Sequence, residues 1–443
     1  MAQFEIKDGV AIIPDGTTEI EWGAFRNCTS LKSIIIPESV KNIGIGAFDG
    51  CTSLESITIP NSVTVIGSWA FKGCASLKSI IIPESVKNIG IGAFEGCASL
   101  ESVTIPESVK KIEECTFDGC TSLESIVVAE GNPKYDSREG CNAIIETATN
   151  TLIAGCKATI IPESVTEIGG GAFYKCTSLK SVTIPESVTK IGSCVFEGCT
   201  SLKSITIPEG VTEIVSEAFS GCTSLKSIII PDSVTKIGGD AFKGCTSLES
   251  ITMPNSVTEI GNWAFSGCTS LESIVLPKVR RIERYAFDGC TSLKSITIPK
   301  SVKKIEGGTF KGCTSLESVT IPIGVKKINR LAFKGCTSLE SITIPNSVTE
   351  IGDYAFDGCT SLESITIPNS VTKIGDYAFD GCTSLESITI SESVTKIGIG
   401  VVDGCTSLVT INVPAKKSHY CKWYLRPNVH DKIVELAPEK EDK

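Results

Sequence analysis

The chain has 443 residues, of which 41% are apolar and 21% charged, and its formal net charge is −10. That composition supplies a large hydrophobic core and lacks the polarity of a disordered chain. General affinity for nucleic acid or an anionic membrane needs a clustered excess of Lys and Arg, so the acidic balance argues against both. No uninterrupted apolar run approaches the ~18 residues of a membrane span.

The opening segment, MAQFEIKDGVAIIPDG, has neither the basic n-region nor the apolar h-region of a secretory signal. On this reading the chain is either intracellular or a mature or trimmed form with a new start Met. Residues 1–27 read as a capping rung, with VAIIP (Val10 to Pro14) as the first strand motif.

From residue 28 to residue 414 a 23-residue unit recurs, C-T-S-L-x-S-I-x-I-P-x-S-V-x-x-I-G-x-x-A-F-x-G. Residues 336–358 and 359–381 differ only at Glu350 against Lys373, a turn position where the two could pair across adjacent rungs. An active site is one constellation of unlike residues, so so faithful a copy speaks first of architecture, a stack of units that bury their apolar faces only against neighbours. In each unit LxSIxIP alternates apolar and polar residues and predicts a short half-buried strand that Pro ends. S-V-x-x-I-G predicts a turn in which Gly permits a conformation closed to other residues, and x-x-A-F-x-G-C predicts one helical or 3-10 turn that inserts Phe and Cys into the core. Counting the strand motif to TINVP (Thr410 to Pro414) gives eighteen rungs.

Two places break the period. Cys120 and Cys176 are 56 apart, so one rung, residues 129–161, is enlarged by ten residues; there NAIIE and TLIAG flank a TATN turn and predict a hairpin within the stack. Cys268 and Cys290 are 22 apart, one turn residue short. Beyond the last rung, residues 415–437 read as a cap, with Lys416 to Leu425 as its amphipathic part, and residues 438–443 as a disordered tail.

The unit resembles the BspA-like leucine-rich repeats, and the GNPxYxS…N…I…TLI pattern at Gly131 to Ile153 is similar to a long rung common in that family. The resemblance implies a repeat solenoid, a right-handed horseshoe with a parallel β-sheet on the concave face and short helical or 3-10 turns on the convex face. It also implies a surface or secreted protein of a host-associated bacterium, adhering to host matrix or cell-surface proteins, and no enzyme chemistry.

No catalytic residue, metal site or cofactor is expected. The two histidines, His419 and His430, both lie outside the repeats, so no His-based triad can stand on the stack; His419 with Cys421 is two ligands, short of a site. Sixteen of the 21 cysteines, from Cys28 to Cys405, recur once per unit and read as buried, reduced packing groups. Cys115, Cys194, Cys141 and Cys156 fall outside that ladder and are expected to be more exposed.

Binding is expected at outward-facing positions. Ser341, Thr343, Ser364 and Thr366 form a polar carpet on the concave face, and Glu317, Glu340, Glu363 and Glu386 an acidic column at its edge. Carboxylates about 4.8 Å apart repel one another, so a basic partner or a cation would relieve them; the blander account is a solvated, duplicated face. On the convex face Trp263 with Tyr285, and Leu331 with Tyr354 and Tyr377, predict contiguous apolar patches of the kind that form contact hot spots, or rings lying flat over the neighbouring turn. The reading is a non-enzymatic scaffold for a protein partner, the alternative being an intracellular interaction scaffold with reduced cysteines. Oligomeric state is left open.

Overall fold

The structure is a computed structural model that describes residues 4–419, 421 and 425–436. It is a parallel β-solenoid of about eighteen turns. The chain divides into two compact units, one of residues 1–212 with 217–225 and one of residues 213–216 with 226–443.

In both units the SIxI segment forms one ladder of parallel strands in register, equivalent residue on equivalent residue, as Ser102–Ile105 with Ser125–Val128 in the first and Ser364–Thr366 with Ser387–Thr389 in the second. The segment expected to be only a turn makes a second parallel ladder, two residues wide. Glu350–Ile351 pairs with Lys373–Ile374, and that with Lys396–Ile397. The Ile of this pair is buried at each of these rungs, so the second ladder closes the opposite wall of the core.

The outer A-F-x-G segment is a run of tight turns bonded i to i+3, such as Cys359 N–H to the Phe356 carbonyl at 3.1 Å. A regular helix does not form because the residue before Ala-Phe is left-handed at rung after rung, with φ of 58° at Gly46 and 56° at Tyr354. These turns are also stitched along the stack, Phe356 N–H donating to the Ala378 carbonyl at 2.8 Å and Gly358 N–H to the Asp380 carbonyl at 2.7 Å.

Glycine serves two different purposes. In A-F-x-G it supplies positive φ, 73° at Gly358. In I-G the need is space, not φ: a Cβ on Gly375 would lie 2.4 Å from the backbone nitrogen of Asp353 in the preceding rung.

The core is a set of columns. The phenylalanines stack along each unit, from Phe4 through Phe117 in the first and Phe242 through Phe379 in the second, with neighbouring centroids 5.2 to 5.7 Å apart. Beside them most ladder cysteines donate their S–H to the Phe carbonyl of the rung before, as Cys382 does to Phe356 at 3.2 Å. The Thr of C-T-S bonds likewise, Thr360 donating to the Thr337 carbonyl at 3.2 Å.

The first unit opens on an antiparallel pair, Ile6–Lys7 with Val10–Ile12. Its enlarged rung contains the antiparallel pair Ala143–Glu146 and Thr151–Gly155, and the latter joins the second ladder against Glu167–Ile168. Cys141 and Cys156, expected to be more exposed, are each 1% exposed free thiols. The hairpin folds back onto the core, and Cys156 donates toward the carbonyls of Glu124 and Asn142.

In the second unit Ile433–Leu436 adds a parallel strand beyond Thr410–Pro414, and Cys421, Leu425 and Val429 are buried. Residues 438–443, read as a tail, lie outside the described residues. Among the described residues no helix is long and apolar enough to cross a membrane.

Phe356 is fully buried and stacks on both Phe333 and Phe379. Phe356→Ala should therefore cost about 3–5 kcal/mol, read as a lower urea midpoint, with hydrogen exchange rising first in the rungs on either side.

Candidate functional site

The strand ladder sets the outward residues at the rung spacing. Glu317, Glu340, Glu363 and Glu386 are all exposed, and backbone bonds hold their register, Glu386 N–H donating to the Glu363 carbonyl at 2.9 Å. Among the described residues none of the four makes an ion pair, whereas the same edge position is paired elsewhere in this unit, Lys226 with Glu249 at 3.6 Å and Lys294 with Glu272 at 3.3 Å. Ser341, Thr343, Ser364 and Thr366 are exposed beside them.

That outward strand position is less polar than the Thr-rich rungs imply. Ile12, Ile35 and Ile81 in the first unit, and Ile229 and Val275 in the second, are 59 to 81% exposed, and Ile12 and Ile35 are direct neighbours across the ladder. Their signal was in plain view as β-branched apolar residues at the variable place of SIxIP, but such residues are also ordinary strand formers.

In the aromatic strip the rings of adjacent rungs lie on one another. Trp263 stacks on Tyr285 with centroids 5.3 Å apart, and Tyr354 on Tyr377 at 5.2 Å. Each stack ends on a glycine that a side chain could not replace: a Cβ on Gly308 would lie 2.2 Å from the Tyr285 ring, and one on Gly400 2.4 Å from the Tyr377 ring. Cations cover the rings, Lys334 and Arg330 at 5.3 and 5.7 Å from the Tyr354 centroid. The Tyr rings and Leu331 are thereby half-buried and Trp263 39% exposed. Trp263, Tyr285, Leu331, Tyr354 and Tyr377 all have φ between 51° and 63°, a conformation costing about 1 kcal/mol or more for such residues.

In the second ladder charges alternate and compensate. Glu350 lies between Lys327 and Lys373, each 2.7 Å away, and their hydrogen bonds hold its carboxyl below the ordinary value of 4.5.

In the first unit Cys194, Glu197 and Glu217 bring one sulfur and two carboxylates within 4.8 Å of one another. Burial and the adjoining carboxylates push the Cys194 thiol to about 12. Three donors with the thiol held protonated fall short of the four ligands of a structural zinc site. His419 is exposed and Cys421 buried, so those two do not converge on solvent as a ligand pair.

Stacked parallel strands repeated once per rung over a Phe and Cys core are the architecture of the leucine-rich-repeat class. The sequence matches the description of the BspA type leucine-rich repeat region over residues 10–136, 153–270, 212–339 and 304–424, and the chain belongs to that family. A leucine-rich repeat protein from Bacteroides ovatus is 29% identical, covering 97% of this chain and 92% of its own, with a TM-score of 0.54. A leucine rich cell surface protein from Faecalibacterium prausnitzii is 30% identical over 71% of this chain and 88% of its own, with a TM-score of 0.52. A leucine-rich repeat protein from Eubacterium ventriosum shares the fold at 24% identity and a TM-score of 0.55, over 72% of this chain and 85% of its own. No curated protein matches the sequence.

Two measurements check this chemistry. At pH 7.5 a thiol reagent should reach at most Cys28, Cys115 and Cys194, slowly, and the other eighteen thiols only after denaturation; a lower total in denaturant would reveal disulfides. Glu350→Gln should cost below about 1 kcal/mol at neutral pH, since the pair is largely solvated. Because the folded carboxyl is depressed, that difference should persist above pH 4.5 and shrink as pH falls below it.

Proposed function

We propose that the protein is a non-enzymatic protein-binding scaffold, an adhesin or cell-surface interaction protein that recognises host matrix or cell-surface proteins. The observation that carries this reading is the unpaired acidic column Glu317, Glu340, Glu363 and Glu386, flanked by the Ser and Thr carpet on an open strand face. Four like charges at about 4.8 Å intervals repel one another, and a basic surface laid along the column would relieve that repulsion. The aromatic strip is the weaker contact, because its rings already stack on one another and on cations. Membership of the BspA type family and the likeness to a cell surface protein support the location.

An intracellular scaffold is the second reading. It is favoured by the burial of eighteen free thiols, many of which donate to carbonyl oxygens.

Antibody labelling of intact cells separates the two, since the adhesin should be reached without permeabilisation and the intracellular scaffold only after it. For the column itself, Glu340→Lys with Glu363→Lys and Glu386→Lys should leave the fold intact and weaken capture of a basic matrix protein by about tenfold at low salt. Unchanged capture would remove the column from the interaction.

A further inference from the structure

The second unit carries one local reversal of the chain's acidic character. At the position after V in S-V-x-x-I-G, Thr235, Thr258, Thr349, Thr372 and Thr395 are the rule, but three consecutive rungs have Arg280, Lys303 and Lys326. The residue after the strand Pro changes with them, from Asp232 and Asn255 to Lys278 and Lys300. All five of these cations are exposed, and among the described residues none makes an ion pair. Two of the second-ladder cations next to them are compensated, Lys327 by Glu350 at 2.7 Å and Arg281 by Glu259 at 3.8 Å.

These cations gather where the architecture is also interrupted. The shortened rung holds its backbone bond to the rung before, Arg280 N–H to the Thr258 carbonyl at 2.8 Å. Toward the next rung the second ladder lapses. Among the described residues no ladder hydrogen bond joins Arg280–Ile282 to Lys303–Ile305, and pairing resumes with the single bridge of Ile305 to Ile328. Beside the lapse lies a groove of about 830 Å³. Its strand side presents Ser273, Val275 and Thr297, and its turn side Lys278, Arg280 and Lys300. Val275 is 72% exposed.

We propose that this groove is a docking site for an extended acidic peptide segment of a protein partner. The cations stand in columns at about 4.8 Å per rung, and like side chains on one face of an extended peptide recur every 6.6 to 6.8 Å, so flexible Lys and Arg heads can meet successive carboxylates. Apolar side chains between those carboxylates would lie on Val275 and the floor of Ile274 and Leu276. Single-stranded nucleic acid fits less well. Among the described residues no aromatic ring lines the groove to stack on a base, and the net charge of −10 opposes a long polyanion at distance. The site is separate from the acidic column and of opposite charge, so loss of one leaves the other reading standing.

The test uses the full chain and a fluorescein-labelled dodecapeptide alternating Glu and Val, followed by fluorescence anisotropy. Saturable binding is expected, weakening by about tenfold or more as salt rises from about 0.05 to about 0.5 M. Lys278→Glu with Arg280→Glu and Lys300→Glu should abolish it, and the neutral Gln triple should weaken it in the same direction should the Glu triple fail to fold. Lys87→Glu with Lys110→Glu, exposed cations of the first unit, should bind as the parent does. Equal binding by the two charge-reversed variants overturns the site. Displacement of the peptide by a heparin oligosaccharide or by oligo-dT at a lower concentration than by unlabelled peptide overturns the peptide as occupant.

Discussion

The constraint on which everything else rests is the contact of one rung's backbone with the next. Equivalent residues bond to one another along both ladders and along the outer turns, and at Gly375 the approach leaves no room for a Cβ. A rung has no core of its own, so its Leu, Ile, Val, Phe and Cys are buried only when a neighbour is in register. Misregister by one residue would turn each SIxI strand inside out. The pressure for uniformity falls on the inward positions, and the outward ones are released from it.

Copying an outward residue therefore builds a column, and the chemistry of a column depends on what is copied. Where Glu and Arg or Lys alternate, as at Glu213, Lys236, Glu259 and Arg281, the column neutralises itself. Where one sign repeats, as along Glu317 to Glu386 or Arg280 to Lys326, the column does not neutralise itself. Aromatic residues follow a third rule. A ring on one rung lies over the left-handed position of the next, which must then be another flat ring or a glycine, and Tyr285 before Gly308 and Tyr377 before Gly400 obey it.

Much of the fold was legible in the sequence because the period is nearly unbroken. Rung length, the buried Phe and Cys columns and the cross-rung pair of Glu350 with Lys373 all followed from it. The second ladder was not, since two residues show no alternation and T-E-I-G reads equally as a turn. The burial of Cys141 and Cys156 escaped because they stand outside the repeat, in a hairpin whose packing no period reports. The exposed Ile and Val row was hidden by the same β-branched chemistry that makes a strand. The missing residue between Cys268 and Cys290 was visible, but the groove beside it depends on how two neighbouring turns part. A net charge summed over the whole chain also masked the three basic rungs next to it.

If register between neighbours is the whole basis of the fold, a complete rung is dispensable as a unit. Excision of residues 336–358, a near copy of residues 359–381, removes Glu340 and Tyr354 and should leave every remaining rung with an equivalent neighbour. Circular dichroism per residue and a cooperative thermal transition like the parent's are the result this account predicts. A chain that aggregates or loses its β signal after that excision would contradict it.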